Sequence, residues 1–176
     1  LLHLNRFMFY NSNIVMKNLS GQSVDKFAKD TTGKITYTFD SYGFRKLNNY
    51  SIKPNYAFFG SSTVFGVGVQ DNEVFTKQFD KCWNFGCAGK YTETEIVDNV
   101  KKFMALKLDT KIVMLWRDNS YIEYVKDLDK NLLHCIPHRK DNFMRLLDNI
   151  DYDVSNTHWG PKTHYKFSKL LKAKLS

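Results

Sequence analysis

The sequence predicts a single α/β domain in which helices cover both faces of a mainly parallel sheet, and three observations predict it. Short continuous apolar runs, Tyr56-Ala57-Phe58-Phe59 and Lys111-Ile112-Val113-Met114-Leu115-Trp116 among them, have the length and composition of strands buried on both faces. Amphipathic segments at helical spacing alternate with these runs, the order that builds a parallel sheet. A chain of 176 residues, 43% hydrophobic and 15% aromatic, also suits one core of this kind, because two domains would each have a marginal one. The expected architecture is a three-layer α/β/α sandwich spanning residues 1–176, with residues 1–55 as an N-terminal extension packed on it.

Each element has its own warrant. In the extension, Lys34-Ile35-Thr36-Tyr37-Thr38-Phe39 alternates like a half-exposed strand, and Asp40-Ser41-Tyr42-Gly43 has turn chemistry. The run from Tyr56 to Phe59 ends at Gly60, a buried strand meeting a turn. From Asp71, the residues Val74, Phe75, Gln78 and Phe79 mark one face of a helix. Cys82-Trp83-Asn84-Phe85 reads as a second short strand, closed by Gly86 and Gly89. Thr92-Glu93-Thr94-Glu95 has capping-box spacing, and Ile96, Val97, Val100, Phe103, Met104 and Leu108 continue it as an amphipathic helix. Lys111 to Trp116 is the strongest buried strand. A helix around Asp141 to Asn149 follows, with Phe143, Leu146, Leu147 and Ile150 as its core face. Pro161 stands where a last helix starts, and Phe167, Leu170, Leu171 and Leu175 share one face of it.

Composition excludes several function classes. The formal charge of +8 and a pI near 9.3 raise nucleic acid or an anionic surface as a partner. The basic residues are scattered, however, apart from Lys162, Lys166, Lys169, Lys172 and Lys174, which form the solvated face of the last helix. No helix-turn-helix, zinc-finger or aromatic RNA-binding signature accompanies them, so nucleic acid is not the expected partner. No apolar run approaches the roughly 18 residues that cross a bilayer. His3, Asn5 and Arg6 interrupt the first apolar stretch, so no signal peptide is expected. Three cysteines, Cys82, Cys87 and Cys135, cannot all pair within one chain, which favours a reduced, cytoplasmic setting with Cys82 and Cys87 as small core residues.

Metal and nucleotide chemistry also find little support. In His134-Cys135-Ile136-Pro137-His138 two histidines stand four apart, but Pro137 argues against a helix between them. The segment therefore reads as a loop, and no metal is expected. Gly66-Val67-Gly68 is not followed by the Lys-Ser/Thr of a phosphate-binding loop, and no cofactor is expected. His164 is expected at the surface of the final helix.

In an open parallel sheet, ligands bind beyond the carboxyl ends of the strands, so the loops that follow strands are where chemistry is sought. Four carry distinctive residues. The first is Gly60-Ser61-Ser62-Thr63-Val64-Phe65-Gly66-Val67-Gly68-Val69, where a serine on a tight strand-to-helix turn has an exposed hydroxyl and an amide free for an oxyanion. The others are Asn84-Phe85-Gly86-Cys87-Ala88-Gly89, Arg117-Asp118-Asn119-Ser120, and Asp153 to Pro161, which contains His158. Each taken alone is an ordinary turn; their order carries more.

In that order the four loops resemble the blocks of the SGNH hydrolase, or GDSL-type esterase, superfamily, over roughly residues 40 to 176. Phe58 to Gly66 is similar to the first block, with Ser62 at the nucleophile position, and Asn84 to Gly89 to the second, with Gly89 at the oxyanion-hole glycine. Ile112 to Asn119 is similar to the third, with Asn119 at the oxyanion asparagine, and His158-Trp159-Gly160-Pro161 to the last, whose histidine is the general base. Asp40-Ser41-Tyr42-Gly43-Phe44-Arg45 resembles a segment often found just upstream of the first block. The resemblance implies a flavodoxin-like sheet and hydrolysis of a small acyl ester, for which an O-acetylated carbohydrate is one candidate. Arg45 and Trp159 are the residues offered for substrate contact; Tyr42, Phe44 and Trp159 could line a sugar site, with core packing the favoured reading of each.

The departures bear on activity. Ser61 stands where the family has Asp before the nucleophile, and Arg117 and Ser120 replace a Gly and an Asp of the third block. Ser155 stands three before His158, where the family's Asp orients the base. Removing that function in a serine protease costs about 10⁴ in rate. Asp153 could supply the carboxylate if its loop bulges; Ser155 or a backbone carbonyl could orient the imidazole in a Ser-His dyad; or the fold binds an acylated ligand without turning it over. The presence of Ser62, Asn119 and His158 together ranks the first two above the third.

Overall fold

The computed structural model describes residues 35, 44–45, 53–87, 93–116, 121–128, 133–137 and 158–176. In chain order the elements are β1 (Tyr56–Gly60), α1 (Ser62–Phe65), a 3-10 turn (Phe75–Gln78), β2 (Cys82–Gly86), α2 (Glu93–Ala105), β3 (Lys111–Trp116), α3 (Tyr121–Val125), β4 (Leu133–Pro137) and α4 (Pro161–Leu175). The four strands form one sheet in the order β2-β1-β3-β4, and every pairing is parallel. The chain is therefore an α/β protein.

The strands are apolar without alternation because both faces of the sheet are covered. On one face Ala57, Phe59, Trp83, Phe85, Ile112, Met114 and Trp116 pack against Ile96, Val97, Val100 and Phe103 of α2 and Val125 of α3. On the other, Phe58, Cys82, Val113 and Leu115 meet Val64 of α1, Phe75 and Phe79, and Phe167, Leu171 and Leu175 of α4. Aromatic rings supply much of both layers: Phe59 stacks on Phe85 at 4.7 Å, and Phe167 lies edge-on to Phe75 at 5.0 Å. Pro161 occupies the first turn of α4, and Lys162, Lys166, Lys169, Lys172 and Lys174 are exposed along it, as the amphipathic pattern predicts. No helix among the described residues is long and apolar enough to cross a membrane.

Three elements differ from expectation. The helix predicted from Asp71 is only the 3-10 turn Phe75–Gln78, flanked by Val74 and Phe79 in extended conformation. A tight turn, in which the Glu73 amide donates to the Gln70 carbonyl, precedes it. The Phe75 amide then donates 3.3 Å to Nδ1 of His164, so a side chain satisfies a donor that a helix would use internally. Next, Leu133–Pro137 is a strand and not the loop expected there. It pairs with β3 from Ile112 to Trp116, and Pro137 sits at its last position, on a strand that is an edge among those described. Finally, His164 is buried, at 1% exposure, and not on the surface of α4. Its ring stacks on Phe75 at 5.9 Å, which the apolar spacing of α4 did not reveal.

Of the remaining elements expected from sequence, the strand at residues 34–39 is described only at Ile35, which is buried, and Thr92 and the helix at 141–149 lie outside the described residues.

The direction of α4 decides which edge of the sheet its N-terminus reaches. Lys111, the first residue of β3, donates from Nζ to the carbonyl of Leu175, the last residue of α4. The Lys172 ammonium lies 5.5 Å from the Phe79 ring, just before β2 begins, while His164, in the first turn, meets Phe75. Thus α4 runs antiparallel to the strands. A helix of this length spans about 22 Å, close to the roughly 20 Å of β3, so its N-terminus lies at the carboxyl edge of the sheet.

β4 also carries a titration the fold makes visible. Partial burial of His134, with the charges of Lys111 and Lys174 nearby, holds its pKa below the ordinary imidazole value. The unfolded chain therefore binds the proton first, and stability is complete above pH 6.5, the ordinary imidazole value, and falls as pH drops below it. Denaturation midpoints at about pH 7.5 and about pH 5.5, one unit either side of that value, are expected to differ less in His134→Gln than in the parent; an equal difference in both would remove His134 from the acid limb.

Candidate functional site

The strand order reverses direction at β1 and β3. The chain leaves β1 toward β2 on one side and leaves β3 toward β4 on the other, and the carboxyl ends of two strands related in this way are where ligands of open α/β sheets bind. The residue standing there is Ser62.

β1 ends at Gly60, whose carbonyl accepts from the Cys87 amide at 2.9 Å and continues the ladder. Ser61 is extended (φ −87°, ψ −153°) and Ser62 opens α1, a single turn closed by Phe65 N–H to Ser61 carbonyl (3.0 Å) and Gly66 N–H to Ser62 carbonyl (2.9 Å). Gly66 terminates it in the left-handed conformation, φ 80°, which favours glycine. Ser62 is half-buried, and its backbone N–H, at the first helical position, has no carbonyl to meet within the helix.

α1 lies hard against the sheet because Gly86 of β2 has no side chain: a Cβ there would sit 2.2 Å from the Phe65 nitrogen. Beside it, Asn84 is 3% exposed and donates from Nδ2 to the Val64 carbonyl (2.6 Å) and to Thr76 Oγ1 (3.0 Å), while its Oδ1 accepts from the Gly86 amide (2.8 Å). Arg45, 2% exposed, donates from Nη1 to the carbonyls of Phe65 (3.0 Å) and Gly66, from Nη2 to that of Val69 (2.6 Å), and from Nε to Asp71 Oδ1 (2.7 Å).

His158 is half-buried and stands three residues before α4, hence at the same edge of the sheet as Ser62. Its neighbour Trp159, 8% exposed, shares the layer of Val64 and Phe75 and packs on Phe167 at 4.9 Å. The structure thus sets both residues offered for substrate contact, Arg45 and Trp159, in the interior. Gly89, Asn119, Asp153 and Ser155 lie outside the described residues.

The Cys87 thiol, on the residue whose amide donates to the Gly60 carbonyl beside this turn, is a poor rival nucleophile. Burial, with a smaller contribution from the Glu95 carboxylate, pushes its pKa up to about 12 and keeps it protonated at neutral pH. Among the described residues, no three His, Cys, Asp or Glu side chains gather as metal ligands.

Sequence reasoning placed Asn84 at the start of the second block but gave it no role of its own. The available signal was a lone amide inside an otherwise apolar strand, Cys82-Trp83-Asn84-Phe85, because a buried polar side chain must find partners. No family model, curated protein or solved structure matches the chain.

Proposed function

We propose that the chain is an acyl-ester hydrolase of the SGNH type, built on a flavodoxin-like sheet, with Ser62 as nucleophile and His158 as general base. The observation that carries the proposal is the position of these two residues at one edge of the sheet: Ser62 on the turn leaving β1 at the strand-order reversal, and His158 just ahead of the antiparallel helix α4. Ser62 Oγ attacks the ester carbonyl carbon while His158 takes its proton. The carbonyl oxygen becomes an oxyanion held by the Ser62 amide and, following the family pattern, by the Gly89 amide and the Asn119 side chain. The C–O bond breaks as His158 returns the proton to the leaving alcohol, and water then releases the acyl group by the same steps. Each oxyanion donor is typically worth about 3 kcal/mol in the transition state. The substrate is a small acyl ester, with O-acetylated carbohydrate one candidate.

A fluorophosphonate probe, which reports an activated serine without requiring the right ester, tests this. One phosphonylated residue, Ser62, with hydrolysis of a short-chain aryl ester lost in step, is the expected result; absence of label on Ser62 overturns it. The second reading, a binding module on the same fold, is motivated by Ser61 and Ser155 at the family's two Asp positions, and a bound acetylated sugar with neither label nor turnover would favour it.

A further inference from the structure

We infer that Arg45 and Asn84 are positioning residues that fix the Ser62 turn, an inference that rests on the proposed esterase reading. A single helical turn is unstable alone, because nucleating one fixes several residues for one hydrogen bond. α1 has four residues and must therefore be held from outside. Its exit carbonyls show how. Those of Val64, Phe65 and Gly66 are consecutive, and each accepts from a buried side chain: Asn84 holds the first, Arg45 the other two. Arg45 reaches on to Val69, so one guanidinium gathers the whole path from α1 toward the 3-10 turn. Asp71, with a side chain 30% exposed, supplies the countercharge and aims the fork. Asn84 also receives the Gly86 amide, which locks the turn to the strand whose glycine lets α1 approach.

The two residues come from separate parts of the chain: Asn84 reaches from β2 and Arg45 from upstream of β1. Between them they fix the height and rotation of α1, and with them the direction in which Ser62 projects its hydroxyl. Misplacing a reacting group by about 1 Å can cost 10²-fold in rate. Lysine cannot substitute for Arg45, since a compact ammonium with three donors does not match four acceptors spread over Phe65, Gly66, Val69 and Asp71.

The test compares wild type, Arg45→Lys and the milder surface variant Asp71→Ala. It measures kcat and KM with a short-chain aryl ester, the phosphonylation rate of Ser62, and amide exchange. Arg45→Lys is expected to lower kcat and the phosphonylation rate together by about 10- to 100-fold with KM unchanged. Asp71→Ala should move both the same way by about 10-fold or less. In both variants the amides of residues 65–67 should lose protection while those of β3 keep theirs. A folded Arg45→Lys with wild-type kcat, or a loss that only tracks the unfolded fraction, overturns the inference. If wild type neither hydrolyses ester nor takes the label, the esterase reading falls separately and exchange decides the clamp: loss confined to the turn upholds it, and loss spread evenly over the sheet overturns it.

Discussion

Ser62→Ala is expected to lower aryl-ester hydrolysis by at least about 10³-fold while leaving the fold intact. The chemical loss is large because the hydroxyl oxygen is the protein atom that the proposed mechanism joins to the acyl carbon. The structural loss is small: the bonds that close α1 run between backbone groups, through the carbonyls of Ser61 and Ser62, and alanine preserves both. Ser61→Ala is the matched control. Ser61 makes no side-chain capping bond, so removing its hydroxyl should leave both the helix and the rate near wild type. Rates of Ser62→Ala equal to wild type would end the catalytic reading, and equal losses in the two variants would assign the effect to the turn.

Gly86→Ala is expected to give the largest structural effect. The added Cβ would fall 2.2 Å from the Phe65 nitrogen and 2.6 Å from the Phe65 Cα and the Val64 carbonyl carbon. All three are backbone atoms, so no rotamer change relieves the clash and α1 must move as a body. That movement pulls Val64 out of its layer and stretches the Asn84 and Arg45 bonds. A destabilisation of about 3 kcal/mol follows from overpacking of this kind, which for a chain of this length lowers Tm by about 10 °C. Activity should fall further than stability, because the displaced element carries Ser62. A variant that melts within about 2 °C of the parent, less than 1 kcal/mol would cause, would show that the turn can slide.

These two residues also show what the sequence could and could not disclose. Glycine after a short apolar strand is visible as a turn signal, but the reason for Gly86, the approach of an unrelated backbone, exists only once α1 and β2 are packed. β3 was legible to the residue because an uninterrupted run from Ile112 to Trp116 has few other destinations. α4 was legible from Pro161 and its apolar face, yet His164 lies buried on that helix because it serves the Phe75 amide, a partner 89 residues away. That same bond helps explain why the apolar spacing from Val74 to Phe79 did not become a helix. Leu133–Pro137 was hidden by its proline, which an edge position tolerates. In the candidate site, Ser62 and His158 are proposed from the loops that carry them. Arg45 and Asn84 were not given their structural parts, since local pattern does not reveal side chains that bind carbonyls 20 residues away.

The strand order has a bearing on how the chain is made. β1 is central, and both its neighbours come later in the sequence; the second, β3, ends about 55 residues after β1 does. At typical synthesis rates of about 5–20 residues per second, the edge carrying Phe58 and Phe59 waits several seconds for that partner. No hairpin can shorten the wait, because parallel neighbours need a crossover. During that interval the segment destined to present Ser62 is an apolar strand still short of one neighbour, and premature association there would reach the proposed site directly.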